Sequence, residues 1–566
     1  MCQPAMLVPS FLVGEGEGGG CRRLERSSAK MTTAAEVLAR GLHEAGCRYA
    51  FGMPGGEVLT VMHALADAGI AFHLARHENA AGFMAEGTYH VTGAPGILLA
   101  TLGPGVANAV NVVTNAWQDR VPLIFLTGCV DAADAAGYTH QVFDHGALLH
   151  TVTKASLTLA DGAVETIVEK ALAIATGGRP GPVHIDIPIG LAGKAQAKTR
   201  PIRVPAAAAM APAAGLDLMR ARDLLAAARR PLLIAGLEVL VQGAEAAVAD
   251  LARDFAIPVI TTYKAKGIVP EDAALALGGA GLSPLADTHL MPLIEASDLI
   301  LLAGYDPIEM RHGWRHPWDP AQKPVIEFVA APTTHGMHAA SLTFVGHIGA
   351  GLRALSDGVA PGESWSNGAP VAARQALHDA FAADEAWGPA AVVDEVRRAL
   401  PANGIATVDS GAHRILLSQV WPCPAPRTLL QSTGLCTMGC ALPLAMGAKL
   451  AAPQRPVVAF TGDAGLEMVL GELATLRDLR LNVVVVVFVD ASLALIELKQ
   501  RKAGLRNLGV DMGETDFAAV ARAMGGIGVA VTDRAALRAA VSEGLVADTF
   551  TVIAAAIGRC AYDGRF

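Results

Sequence analysis

Aromatic residues are scarce, 5% of 566 positions, so an interior of close-packed helices and sheets is expected rather than an aromatic core. No apolar run is long enough to cross a bilayer. The longest, Val483 to Val489, is stopped by Asp490 and falls far short of the ~20 residues a membrane helix needs, which points to a buried strand and no membrane partner. Cysteine is spare too: the eight present form no CxxC pair, which fits reduced thiols in a cytoplasmic setting, and Cys436 with Cys440 reads as packing on one helix face. Lys and Arg, 44 in all, are outnumbered by 53 Asp and Glu and gather in no stripe that would neutralise phosphates. That excludes a nucleic-acid partner and favours small-molecule chemistry. Residues 1–30 lack a basic segment followed by an apolar core and a small-residue cleavage site, and are expected to be a disordered leader, with Met31 opening the first amphipathic helix, Thr33 to Ala45.

What is present is alternation. Short apolar strands (Tyr49 to Phe51, Ala71 to Leu74, Ile97 to Thr101, Leu123 to Thr127, Val183 to Ile187) are separated by helical stretches, with glycines at strand ends, the pattern of an α/β unit with a parallel sheet. A second set (Leu232 to Ile234, Val259-Ile260, Leu299 to Leu302, Val325 to Phe328) and a third (Thr407-Val408, Val457 to Thr461, Val483 to Val489, Thr551 to Ile553) repeat it. The expected fold is α/β, three doubly wound parallel-sheet domains: 31–190, 216–355 and 376–566, joined by linkers 191–215 and 356–375. Gly93 to Gly105 and Ala452 to Gly465 share one local plan, a helix end, a strand and a Gly-rich turn, which suggests duplicated units serving one site.

The third unit carries the chemistry. Strand Val457 to Thr461 runs into Gly462-Asp463-Ala464-Gly465 and then a helical segment, Glu467 to Leu476. Small residues at a strand-to-helix turn admit a phosphate to backbone N–H groups, but Asp463 would repel it unless a cation lay between. A second acid, Asp490, ends the next strand. Two acids at the ends of neighbouring parallel strands beside such a turn suit an oxygen-liganded Mg²⁺ bridging to a diphosphate.

Gly462-Asp463-Ala464, followed by a helix, an apolar strand and Val489-Asp490, resembles the thiamine-diphosphate signature, with Ala464 for its last Gly and Asp490 for its second Asn. Phe51-Gly52-Met53-Pro54-Gly55, Arg76-His77-Glu78, Met84 to Gly87, Gly103-Pro104-Gly105, Gly178 to Val183 and Thr437-Met438-Gly439 are similar to acetolactate synthase motifs, while Gly304 to Glu309 and His140-Gln141 resemble the catabolic branch. The resemblance implies pyrimidine-binding, middle and diphosphate-binding domains. Glu78 would hydrogen-bond the pyrimidine N1′, Met438 would hold the cofactor bent, and the carbonyl of Cys436 would accept from its 4′-amino group. Ser410 with Gly411, Ala412 and His413 would meet the diphosphate, together with Gly462, Ala464 and Gly465. Asp463, Asp490 and the backbone carbonyl of Ser492 would ligate Mg²⁺, and Pro54 and Gly55 would flank the cofactor. His140 and Gln141 would face the substrate. Because Glu78 and the metal site lie in different domains, the resemblance also implies a homodimer or homotetramer with shared sites.

Taken alone, several of these residues read more plainly: Glu78 as a solvated acid at a helix start, Met438 as core filler, and His140, His145 and His150 as polar packing rather than a metal site. The implied activity is decarboxylation of a 2-oxo acid, pyruvate foremost, with carboligation to a second carbonyl. An aldehyde-releasing decarboxylase is the alternative, against which stands the lack of histidine in Gly103 to Asn108; a non-catalytic cofactor-binding homologue is a third reading. Tyr305 to Glu309 replaces the segment that accompanies FAD in biosynthetic relatives, so no FAD is expected. Lys499 falls on the helix expected to wall the substrate pocket, where its ammonium would attract an anionic group, or else in a solvated basic stretch with Arg501 and Lys502.

Overall fold

The computed structural model describes residues 32–566 apart from 198 and 204–207, and leaves the side chains of Glu309 and His312 undescribed. The expected leader and Met31 lie outside the described residues.

Each of three apolar strand sets forms a six-stranded, wholly parallel sheet. The first comprises β1 (Tyr49–Met53), β2 (Ala71–Leu74), β3 (Gly96–Ala100), β4 (Leu123–Cys129), β5 (Ala155–Thr158) and β6 (Val183–Pro188), in the order β2-β1-β3-β4-β6-β5. The second comprises β7 (Pro231–Ala235), β8 (Val259–Thr261), β9 (Ala276–Gly279), β10 (Leu299–Ala303), β11 (Val325–Val329) and β12 (Leu342–Val345), ordered β12-β11-β10-β7-β8-β9. The third comprises β13 (Ile405–Val408), β14 (Leu429–Gln431), β15 (Val457–Gly462), β16 (Val484–Val489), β17 (Ile527–Val531) and β18 (Thr551–Ala556), ordered β14-β13-β15-β16-β18-β17. Parallel sheets need helices on both faces, and the central strands are accordingly apolar throughout: Val484 to Phe488 are all buried. The first and third sheets share one strand order, so the local likeness between Gly93–Gly105 and Ala452–Gly465 reflects β3 and β15 at equivalent places in like sheets.

These two domains pack through helices Glu78–Thr92 and Ala441–Ala451. A Cβ on Gly447 would lie 2.0 Å from the carbonyl oxygen of Met84, and one on Gly87 2.3 Å from that of Leu444, so only glycine permits this approach. Several polar groups buried around the junction pair across all three domains. Asn115 donates to Glu86 at 2.8 Å, Ser432 donates to Asn115 at 2.6 Å, and Lys264 pairs with Asp119 at 2.8 Å.

Two local expectations are corrected. The helix expected from Glu467 to Leu476 is two helices, Asp463–Glu467 and Glu472–Asp478; the break lets buried Glu472 accept the N–H of Arg76 from the first domain at 2.9 Å. Cys436 and Cys440 do not share a helix face: Cys436 sits in a loop at φ 57°, and Cys440 caps the helix Ala441–Ala451. No described helix is long and apolar enough to cross a membrane.

Candidate active site

β15 and β16 lie side by side, with Gly462 opposite Phe488, so the acids that follow them meet at the carboxyl edge of the third sheet. The Asp463 Oδ2 accepts the N–H groups of Ala491 at 2.8 Å and Asp490 at 3.2 Å, and its Oδ1 accepts that of Ala464 at 2.8 Å. Asp490 Oδ1 accepts the N–H of Ser492 at 3.2 Å. Ala491 makes this turn at φ 53°. Burial raises the Asp463 carboxyl above the usual range, and burial with the charge of Asp463 pushes Asp490 up to about 7. Two acids held this close in a half-buried turn are short of positive charge, and hard oxygen donors of this kind fit Mg²⁺.

Beside them, β13 leads into Asp409-Ser410-Gly411 and the helix Ala412–Val420 begins. His413 is held from two sides: Nε2 pairs with Asp409 Oδ1 at 2.8 Å, and the ring stacks on Phe488 with centroids 5.4 Å apart. The other Asp409 oxygen accepts the N–H of Gly439 at 2.6 Å and the hydroxyl of Thr461 at 3.0 Å. Asp409 thereby ties the loops after β13 and β15 to the segment carrying Met438. Between these loops lies a cavity of about 200 Å³, lined by Ser410 to His413, Cys436, Met438, Gly462 to Gly465, Asp490, Ser492 to Ile496 and Tyr562. Tyr562 reaches it from the chain's end; its hydroxyl is buried with no partner among the described residues, and burial with the charges of Asp490 and Asp463 pushes its ionisation well up.

The first-domain candidates stand elsewhere, and none lines that cavity. Glu78 opens the helix after β2, is 5% exposed and accepts a hydrogen bond from Asn108 at 2.9 Å, so it is not the solvated acid its position alone suggests. Pro54 and Gly55 follow β1, where a Cβ on Gly55 would lie 2.2 Å from the Thr101 hydroxyl. His140 and Gln141 are exposed; Gln141 has φ 59°, and its carbonyl oxygen would lie 2.5 Å from a Cβ on Gly103. Under that loop His145 is buried: Nε2 accepts the Gly103 N–H at 3.3 Å and Nδ1 pairs with Asp186 at 2.8 Å. His184 completes the cluster through Thr127 and Ser156, each at 2.7 Å, so these histidines are packed and satisfied. Lys499 is exposed on the helix Ala494–Lys502, one turn beyond Leu495 and Ile496, which line the cavity.

Residues 32–148 match the family described as thiamine pyrophosphate enzyme, N-terminal TPP binding domain; residues 218–355 match its central domain and 409–555 its C-terminal TPP binding domain. The chain is 31% identical over 481 residues to an acetolactate synthase isozyme 1 large subunit from Escherichia coli, covering 84% of each chain. The chain belongs to the thiamine pyrophosphate enzymes of the acetolactate synthase family. It is also 29% identical over 546 residues, 94% of each chain, to an acetolactate synthase of Bacillus subtilis. A Pseudomonas aeruginosa protein named probable 2-ketoarginine decarboxylase is 32% identical over 519 residues, 89% of this chain and 90% of its own. In this thiamine pyrophosphate enzyme the Asp463–Asp490 cleft and its flanking loops lie within the C-terminal TPP binding domain, and Glu78 within the N-terminal one. Sequence reasoning did not single out Asp409 or Tyr562. Asp409 stands one residue before the noted Ser410 segment, at a strand end like Asp463, and that placement was its available signal; Tyr562, some seventy residues past Asp490, had none.

Proposed function

We propose that the enzyme decarboxylates a 2-oxo acid, pyruvate foremost, and joins the remaining fragment to a second carbonyl compound, in a cytoplasmic setting. The observation that carries this reading is the Asp463–Asp490 pair at the floor of a cleft walled by Met438, Leu495 and Ile496. Asp463, Asp490 and the Ser492 carbonyl would hold Mg²⁺, and the loops at Ser410 to His413 and Gly462 to Gly465 would receive the diphosphate. When bound, thiamine diphosphate supplies the electron sink for loss of CO₂. Glu78, buried and oriented by Asn108, would hydrogen-bond the pyrimidine N1′ and serve there as the acid–base group. His140 and Gln141, beside the Gly103 loop, face the substrate, and Lys499 sets a positive charge at the mouth of the cleft.

Because Glu78 and the cleft residues stand apart within one chain, the working unit is a homodimer, or a homotetramer of such pairs, in which each site takes Glu78 from one copy and the metal loop from the other. No FAD is required. The second sheet reverses strand order between β7 and β10, where a dinucleotide would sit. Tyr305, just past β10, is fully buried there, stacked on His338 with centroids 5.5 Å apart and in contact with Trp318. A flavin absorption band in the purified protein would contradict this.

Release of a free aldehyde is the second reading, favoured by the likeness to a protein named as a decarboxylase. Carboligation is supported by the loop Gly103-Pro104-Gly105, which presents no histidine; His145, beneath it, is committed to Gly103 and Asp186. Product analysis with thiamine diphosphate, Mg²⁺ and a panel of 2-oxo acids separates the two. Acetoin after acid treatment marks acetolactate; free aldehyde as the main product overturns the ligation reading. In the same panel Lys499→Gln should reduce use of anionic acceptors more than of neutral aldehydes, and equal effects would return Lys499 to the surface.

A further inference from the structure

A second cavity, about 220 Å³, lies where the central domain meets the C-terminal TPP binding domain, and Cys436 lines both it and the cofactor cleft. Leu495, which walls the cleft, packs against the small apolar cluster of Tyr263, Leu282 and Ile415, two of which line this second cavity, so the two spaces are neighbours. Its ionic lining is of one sign: Arg311 and Arg414, with no carboxylate.

Arg414 is the telling residue. It is 2% exposed, donates to the Ser432 carbonyl at 2.7 Å and to the Cys436 sulfur at 3.3 Å, and its Nε has no partner among the described residues. A buried guanidinium ordinarily meets a carboxylate. Asp119, which accepts from the lining residues Thr433 and Gly434, is already paired with Lys264 at 2.8 Å. Arg311, on the exposed side, forms no ion pair among the described residues, and no described carboxylate lines the cavity that the two guanidinium groups share.

We propose that this cavity is an anion subsite of the cofactor cleft and takes the distal carboxylate of a 2-oxo diacid. Planar guanidinium groups suit a carboxylate in paired hydrogen bonds, and the cavity's volume admits one small acid group. The proposal rests on the reading of the cleft as a 2-oxo acid site, and it names a substrate class for that site.

The test uses the full-length holoenzyme with pyruvate, with 2-oxoglutarate as a diacid, and with glutarate as an unreactive diacid measured by calorimetry. Expected are turnover of 2-oxoglutarate, or its competition with pyruvate, and glutarate binding that weakens on the order of tenfold in Arg311→Gln and further in Arg311→Glu, as for loss of a charge-assisted hydrogen bond. Pyruvate KM should stay within about twofold in both variants, because pyruvate carries no distal carboxylate to meet this residue. Arg414→Lys, which keeps the charge but not the fork, should weaken glutarate similarly while retaining the fold. Glutarate binding unchanged in both Arg311 variants overturns the subsite, as does an equal loss for pyruvate and 2-oxoglutarate. Glutarate that binds without competing with 2-oxo acids also overturns it, in favour of a separate anion site. Failure of pyruvate turnover in the unaltered enzyme would instead strike the proposed function.

Discussion

At the scale of single residues the site is governed by charge held in too little water. Asp490 is raised from the usual 3.8 to about 7 by burial and by Asp463. The sign of the consequence is fixed by linkage: without a cation, the unfolded chain ionises this group near 3.8 while the folded protein keeps the proton up to about 7. Stability of the metal-free protein should therefore fall as pH rises through that window, with the full penalty above it. Mg²⁺, which prefers the ionised pair, should stabilise increasingly over the same range. Thermal unfolding across pH, with and without Mg²⁺, checks this, and Asp490→Asn should flatten the metal-free profile. A metal-free melting temperature that climbs from pH 4 to about 7 by the same amount in both proteins would refute the assignment. Asp463 and Asp490 were legible in the sequence because each ends an apolar strand. Tyr562 and Arg414 were not, because their meaning depends on what lies beside them in space: an unpartnered hydroxyl at the cleft, and an unpartnered Nε in a cavity.

At the scale of elements, the central strands could be read from their continuous apolar runs, whereas β5, β9, β12, β14 and β17 could not. Every one of these is at a sheet edge. Edge strands are covered on fewer sides, and β5 and β12 alternate partly buried with exposed residues over only four positions, so no apolar run marks them. The helix Ala494–Lys502 was expected, but not what holds it. Glu497, almost fully buried, accepts from Arg559 at 3.1 Å and from the Ser492 hydroxyl, and Arg501 pairs with Asp563 at 2.7 Å. The chain's end is thus fastened to the helix that walls the cleft and, through Ser492, to the turn that follows Asp490. The crossing of helices Glu78–Thr92 and Ala441–Ala451 gives the sharpest element-scale prediction. A Cβ at position 447 would meet Met84 oxygen at 2.0 Å, so Gly447→Ala should destabilise by about 1–3 kcal/mol, as overpacking does. A denaturant midpoint unchanged by the substitution would show that the crossing tolerates a methyl group.

For the whole molecule, three parallel sheets were foreseeable from three rounds of strand and helix; their strand orders were not, since order depends on which crossover returns to which edge. The first and third sheets place Glu78 and the Asp463–Asp490 pair beyond strand ends of like sheets, yet Glu78 does not line the cavity that holds the pair. The proposed sharing of sites between copies makes a prediction of its own. Mixing inactive Glu78→Gln with inactive Asp463→Asn should then regenerate up to about a quarter of the sites, since half the dimers are hybrids and each hybrid carries one intact site. No recovery after mixing, with hybrids demonstrated by mass, would place each site within one chain.

The measurement closest to the central claim is CO₂ release from pyruvate by protein stripped of cofactor and metal, then resupplied with thiamine diphosphate and Mg²⁺ separately and together, with Glu78→Gln treated alongside. Release should require both additions. Glu78→Gln should bind the cofactor yet turn over at least ~10²-fold more slowly, the size of a lost acid–base step. Release without thiamine diphosphate, or near-normal turnover by Glu78→Gln, would contradict the account.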